Sequence, residues 1–210
     1  MISISMEKFI AHYKNVEGEA KNKLNSFEKN KELSHRELLE EMAFCLFAAN
    51  SSAKMGIKAC ELIREHLDSD LETLRGKVHK KVRFYNKRIE YYHYNREYIE
   101  SNHEDFEKFL KKFESPLGLR AYINSNLKGF GMKESSHLLR NLGYRGFAII
   151  DKHVLSVTDE VFGVKLEKPR NEKEYLLAES RLKEIALAHG FDFDVLDLAM
   201  WSYRTGEIIK

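Results

Sequence analysis

Proline interrupts this chain only twice, at Pro116 and Pro169, in 210 residues. Proline lacks an amide donor and clashes with the preceding helical turn, so its scarcity leaves long stretches in which helix can propagate. Those stretches are rich in Glu, Lys, Leu and Ala and poor in consecutive β-branched residues, which predicts an all-α fold. With 43% hydrophobic and 32% charged residues, the chain has an ordinary core for one large domain or two small ones.

Local signals place the helices. Met6, Phe9, Ile10 and Tyr13 recur at helical spacing and lead into a polar stretch near 20–33, read as a helix tail or a linker. Ser34 and Glu37 have capping-box spacing ahead of the apolar stripe Leu38, Leu39, Met42, Cys45 and Leu46. Short polar residues at 50–52 end that helix and can cap the next, whose stripe is Met55, Ala59, Leu62 and Ile63; Asn50 therefore sits at a helix-to-helix corner. Leu138, Leu139 and Leu142 edge a short helix closed by Gly143, and Val154, Val157, Val161 and Phe162 follow Asp151 at helical spacing. Two further helices are predicted over 174–188 and 195–203.

Several function classes fall away. Cys45 and Cys60 cannot build a disulfide framework or a four-thiolate metal or iron–sulfur site, which suits a reducing cytoplasm. His137 and His153 lack companions at ligand spacing and read as structural or phosphate-neighbouring groups, so no metal is expected. No apolar run of membrane-spanning length occurs, and MISISMEKF lacks a secretory pattern, so neither export nor membrane insertion is expected. The formal charge of +2 is too small to announce nucleic-acid binding. Its distribution is more informative: Lys77, Lys80, Lys81, Arg83, Lys87 and Arg88 crowd into one basic run, interleaved with Phe84 and Tyr85. That run is either a solvated helix face or a surface that contacts phosphates.

The chemistry-bearing stretch is LKGFGMKESSHLLRNLG, residues 127–143. Tyr122 to Leu127, the turn Gly129-Phe130-Gly131, and Lys133 to Leu142 have the plan of two helices joined by a glycine turn, where glycine supplies unusual backbone angles and lets N–H groups approach a phosphate. Lys133 stands in a first helical turn, where the macrodipole disfavours a cation. The placement suits an amine that must react uncharged. Asp151 opens a later helix, either as an ordinary N-cap or as an acid facing the amine.

Leu127-Lys-Gly-Phe-Gly-Met-Lys133 followed by Ile149-Ile-Asp151-Lys-His-Val154 resembles the signature of the helix-hairpin-helix DNA glycosylases, which commonly reads leucine-proline-glycine-x-glycine, then lysine, then valine-aspartate-x-histidine-valine. Lys128 stands where many members have proline. That lysine, the compact length and the ending Trp201-Ser-Tyr-Arg-Thr-Gly-Glu-Ile-Ile-Lys210 are similar to the archaeal-type (type 2) 8-oxoguanine DNA glycosylase/AP lyases. The resemblance covers most of residues 34–210.

The resemblance implies a two-lobed fold with the active site in the interlobe cleft: residues 30–148 as the lobe containing the hairpin, and 1–29 with 149–210 as the other. It implies Lys133 as nucleophile, Asp151 as its acidic partner, and backbone N–H groups of Gly129, Gly131 and Glu134 on a phosphate. Trp201, the only tryptophan, would be a platform for a flipped base rather than a core residue, and Lys210 would help distinguish 8-oxoguanine from guanine. Asn50 is a helix cap or the residue that enters the duplex. The implied activity is excision of 8-oxoguanine and β-elimination at the abasic site, by a cytoplasmic, nucleoid-associated monomer acting on double-stranded DNA without a cofactor. Two other readings stay open: a lyase for another oxidised base, and a helix-hairpin-helix module that binds DNA without catalysis.

Overall fold

A computed structural model describes residues 4–208. Among these there are eleven α-helices, two short 3-10 turns and no strand, and no helix is long and apolar enough to cross a membrane. The chain divides into two units: Lys29–Leu142, and the two segments that precede and follow it.

The unit Lys29–Leu142 contains α2 (His35–Ala48), α3 (Ala53–Ile63), α4 (Leu71–Val78), α5 (Tyr85–His103), α6 (Phe106–Lys111), α7 (Pro116–Asn126) and α8 (Met132–Asn141). Its core is organised on α2, which packs against α3, α5, α6 and α8. The capping box predicted at Ser34 is present: its hydroxyl accepts from the Glu37 N–H, and the Glu37 carboxylate accepts from the Ser34 N–H. Beyond the cap, Leu38, Leu39, Met42, Ala43, Phe44, Cys45, Leu46 and Phe47 are all buried. A helix apolar on nearly every side has to be surrounded, so α2 becomes the centre of the unit rather than one wall of it. On α3 the buried face is Gly56, Ala59, Cys60 and Ile63, with Met55 and Leu62 only half-buried. The stripe is rotated because a Cβ at Gly56 would lie 2.9 Å from the Phe44 ring, and the glycine lets the two helices approach.

The other unit contains α1 (Ile4–Glu28), α9 (Lys152–Phe162), α10 (Glu172–His189) and α11 (Phe193–Thr205). The polar stretch after residue 20 is the tail of α1, and its buried Ala20, Leu24 and Phe27 explain why the helix continues. Phe9 is fully buried and meets Phe162, Tyr203 and Phe191 edge-on, joining α1 to α9 and α11.

The edge between the units falls at Leu142/Gly143, ahead of the 148/149 boundary read from the sequence. Side chains of α10 and α11 hold the intervening segment. Gly146 N–H donates to Asp194 Oδ1 (2.8 Å), Ala148 N–H to Glu179 Oε1 (3.0 Å), Ile149 N–H to Asp197 Oδ1 (3.0 Å) and Ile150 N–H to the Tyr175 hydroxyl (3.2 Å). A largely buried segment outside any helix or strand needs partners for its amides, and here carboxylates and a phenol supply them. Burial raises the Asp194 carboxyl above its ordinary value, partly offset by the Gly146 N–H.

Candidate active site

The hairpin is assembled from local signals. α7 begins at Pro116 behind the cap Ser115, and its end is marked by the Leu127 N–H bonded to Ile123 O. Leu127 O then accepts from the Phe130 N–H (3.4 Å) across a four-residue turn whose third position, Gly129, has φ +81. That is the type II pattern, which wants glycine at the third position. Space makes the same demand: a Cβ on Gly129 would lie 2.6 Å from Tyr91 Cδ2 and 2.8 Å from Leu46 Cδ2.

Gly131 is different, and the expectation that both glycines serve unusual backbone angles is corrected. Its φ of −81 is open to any residue, and a Cβ there would meet only Glu134 Oε2, at 3.6 Å. What Gly131 lacks is a cap. α2, α3, α4, α6 and α7 each begin on a Ser or Asp whose side chain accepts a first-turn N–H, whereas α8 begins on Gly131 with no side-chain acceptor. The first intrahelical bond of α8 is Ser135 N–H to Gly131 O, so the N–H groups of Met132, Lys133 and Glu134 have no intrahelical acceptor. Gly129 and Gly131 are themselves exposed. A positive helix end with open donors is suited to an anionic oxygen.

Lys133 lies in that first turn. Phe130 and Met132, both buried, anchor the chain on either side of exposed Gly131, while Leu138, Leu139 and Leu142 seat the rest of α8. The lysine side chain retains 29% exposure, and its Nζ lies 3.2 Å from Oε1 of Glu134. His137, one turn on, packs edge-on against Phe44.

Asp151 follows the buried segment 147–150 and caps α9: Oδ1 accepts from the N–H groups of His153 (2.8 Å) and Val154 (3.0 Å). Both cap bonds use one oxygen. Trp201 lies on α11 and is half-buried, between Met200 and Ser202, which are buried. It is therefore not a core tryptophan. Lys210 lies outside the described residues.

Residues 20–191 match the family profile described as 8-oxoguanine DNA glycosylase. The chain belongs to that family. It is 32% identical to the 8-oxoguanine DNA glycosylase/AP lyase of Picrophilus torridus over 96% of this chain and 95% of that one. The corresponding protein of Thermotoga sp. strain RQ2 is 33% identical over 98% and 100%. Among solved structures, the Methanocaldococcus jannaschii 8-oxoguanine glycosylase/lyase in complex with a 15mer DNA containing 8-oxoguanine superposes with a TM-score of 0.85 at 31% identity, covering 97% of this chain and 98% of that one. The relatives place the chain with the archaeal-type 8-oxoguanine DNA glycosylases, and the fold is the helix-hairpin-helix glycosylase fold.

In this glycosylase family member the basic run 77–88 is not one helix face. α4 ends at Val78, Lys80 and Phe84 have positive φ, and α5 starts at Tyr85. Lys80, Lys81, Arg83 and Lys87 are exposed, Lys77 is half-buried, and Arg88 is buried. Arg88 is therefore removed from the surface patch. Its guanidinium donates to the carbonyl oxygens of Phe47 and Ala49, filling acceptor positions at the end of α2. Lys87 is drawn toward Glu90 (3.6 Å) and the Tyr91 ring.

The corner that Arg88 stabilises carries Asn50, which is exposed with φ +50. The cap of α3 is Ser52, not Asn50, so the reading of Asn50 as a helix cap is set aside. Two features of the glycosylase were not read from its sequence. Phe84 is 52% exposed, with the Arg83 guanidinium over its ring; a phenylalanine amid basic residues was its only signal. A cavity of about 420 Å³ is lined by His12, Val16, Glu19, Ser202, Gly206, Glu207 and Ile208. His12 and Ser202, 2.8 Å apart, are 190 positions apart in the chain, and no sequence pattern links them.

Proposed function

We propose that the chain excises 8-oxoguanine from double-stranded DNA and then cleaves the strand at the abasic site by β-elimination. The observation that carries this reading is Lys133 in the first turn of a helix that has no side-chain cap and is seated on buried side chains, directly after a glycine hairpin, in a chain related to 8-oxoguanine DNA glycosylase/AP lyases along nearly its whole length.

In this reading the open N–H groups of α8 and the hairpin around Gly129 and Gly131 hold a backbone phosphate, with Glu134 contributing its N–H. The Lys133 amine, uncharged, forms a bond to the sugar C1′ as the bond from C1′ to the base breaks, and the base leaves with a proton. Opening of the sugar ring converts this adduct to a Schiff base, whose C=N group withdraws electrons. The C2′ proton is then lost and the bond to the 3′ phosphate breaks. Asp151 stabilises the positive charge that develops on the sugar and helps to move protons around the amine. Glu134, paired with the lysine in the absence of DNA, has to release it before attack.

The base must leave the stack to be reached. Trp201, half-buried rather than sunk in the core, offers it an aromatic face, and Lys210 would discriminate the oxidised base. Exposed Asn50 and Phe84 stand on two turns of the hairpin-bearing unit and are suited to fill the space left in the duplex. Lys77, Lys80, Lys81, Arg83 and Lys87 supply phosphate contacts.

Borohydride reduction in the presence of duplex carrying 8-oxoguanine tests the assignment. A covalent protein–DNA adduct, lost in Lys133→Gln with DNA binding retained, is the expected result. No adduct from the folded protein would leave only a DNA-binding module, and an adduct formed on thymine glycol but not on 8-oxoguanine would change the substrate.

A further inference from the structure

The hairpin is held by a residue that belongs to neither of its helices. Asn95 lies on α5, 33 positions before Lys128, and is fully buried. Its Nδ2 donates to Lys128 O at 2.8 Å, and the Lys128 N–H donates to its Oδ1 at 2.7 Å. One side-chain amide thus satisfies both backbone groups of one turn residue. A backbone N–H can only donate and a carbonyl can only accept, so the orientation of the amide is unambiguous.

The rest of α5 supports the same contact. Tyr91 fills the space where Gly129 would carry a Cβ, and Lys128 Nζ lies 3.5 Å from the centre of the Tyr94 ring. Tyr91, Tyr94 and Asn95 form one surface against which the turn is pressed. Three residues beyond Gly129 begin the open N–H groups of α8, and Lys133 is the second residue of that helix.

Position 128 makes the dependence specific. It is the second residue of a type II turn, the position that favours proline. A proline there would suit the turn and lack the N–H that meets Asn95. The turn in this chain is instead secured from outside, by the Asn95 Oδ1 acceptor, which needs the backbone N–H that only a non-proline residue at 128 provides.

We propose that Asn95 is a positioning residue for catalysis, acting through the backbone of Lys128 to set the location of the phosphate-holding N–H groups and of Lys133. This rests on the reading that the hairpin holds DNA and Lys133 attacks the sugar. Asn95 itself touches no substrate.

The test compares Lys128→Pro with Lys128→Ala, which both remove the ammonium while only proline removes the N–H. Asn95→Ala and the double variant Asn95→Ala/Lys128→Pro complete the cycle. Two quantities are measured at a temperature where circular dichroism shows each protein folded: the Kd for a duplex containing a tetrahydrofuran abasic analogue, and the single-turnover rate of borohydride-trapped adduct on 8-oxoguanine duplex. Lys128→Pro is expected to bind at least about tenfold more weakly than Lys128→Ala and to form adduct at least about tenfold more slowly, with the double variant no worse than Asn95→Ala alone. Lys128 is exposed, so the proline comparison decides the matter even where Asn95→Ala does not fold. Equal behaviour of the two Lys128 variants, or a change in melting temperature alone, overturns the proposal.

Gly131→Asp separates this failure from failure of the underlying reading. If that carboxylate leaves DNA affinity unaltered, the hairpin does not hold a phosphate and the proposal falls with it. If affinity drops in Gly131→Asp but not in Lys128→Pro, the hairpin holds DNA and Asn95 does not position it.

Discussion

Asp151 and Val154 are joined by a 3.0 Å bond from the Val154 N–H to Oδ1, and the same oxygen takes the His153 N–H at 2.8 Å. One carboxylate oxygen therefore supplies the helix cap, and the cap also fixes where the group points. Asparagine caps helices as well as aspartate does but carries no charge. Asp151→Asn is thus expected to keep its melting temperature within a degree or two while adduct formation falls by about 10² or more, the range for losing acid–base and charge stabilisation. Asp151→Ala should lose activity and, in addition, about 1 kcal/mol of stability. An active Asp151→Asn would return the residue to a purely structural role.

The two hairpin glycines should respond differently. Gly129→Ala forces a left-handed residue against Tyr91 and Leu46 and is expected to destabilise by about 2–4 kcal/mol, combining backbone strain with overpacking. Gly131→Ala has neither problem and should remain within about 1 kcal/mol of wild type in chemical denaturation. Equal losses at the two positions would contradict the turn geometry.

Arg88 and the exposed lysines of the basic run should also separate. Arg88→Ala removes the donors from the Phe47 and Ala49 carbonyl groups and is expected to cost about 3 kcal/mol in urea unfolding. The Lys80→Ala/Lys81→Ala pair should change stability by no more than about 1 kcal/mol. If each lysine neutralises one phosphate, the slope of log K against log salt becomes shallower by roughly 1.8. An unchanged slope would make them solvated cations.

Acid should weaken the fold through two histidines. Burial lowers the His12 pKa below its ordinary 6.5, opposed by a hydrogen bond with the Ala199 backbone; burial and then the nearby Lys112 ammonium lower that of His103. The folded state resists protonation that the unfolded chain accepts near pH 6.5, so this contribution is present above that pH and is lost as pH falls through it toward the folded values. Melting temperature should drop more steeply below about pH 6.5 in wild type than in His12→Gln/His103→Gln. Parallel profiles would show that neither group is linked to folding.

What could be read in the sequence was what neighbours in the chain determine. The capping box at Ser34, the αL glycine at 143, the start of α8 and the cap at Asp151 each depend on residues within one or two helical turns, and the structure has all of them. Lys133 and Asp151 both stand where a helix begins, which is local information, but the pairing of the two was legible only through the resemblance to the glycosylase signature. The residues at 77–88 show where this stops. Their charges were plain, but whether Arg88 faces solvent or the end of α2 depends on where Phe47 and Ala49 lie, 41 and 39 positions away.

The amino-acid sequence by itself thus determined most of the helices and several of their caps, through propensity and short-range hydrogen bonding, while the roles proposed for Lys133 and Asp151 come from the family resemblance. Tertiary structure alone decided that Trp201 is half-buried, that carboxylates of α10 and α11 hold the approach to Asp151, and that Asn95 grips the turn before Lys133. Each of these is a buried donor meeting its acceptor, or a surface left uncovered, across a separation too long for any local pattern to record.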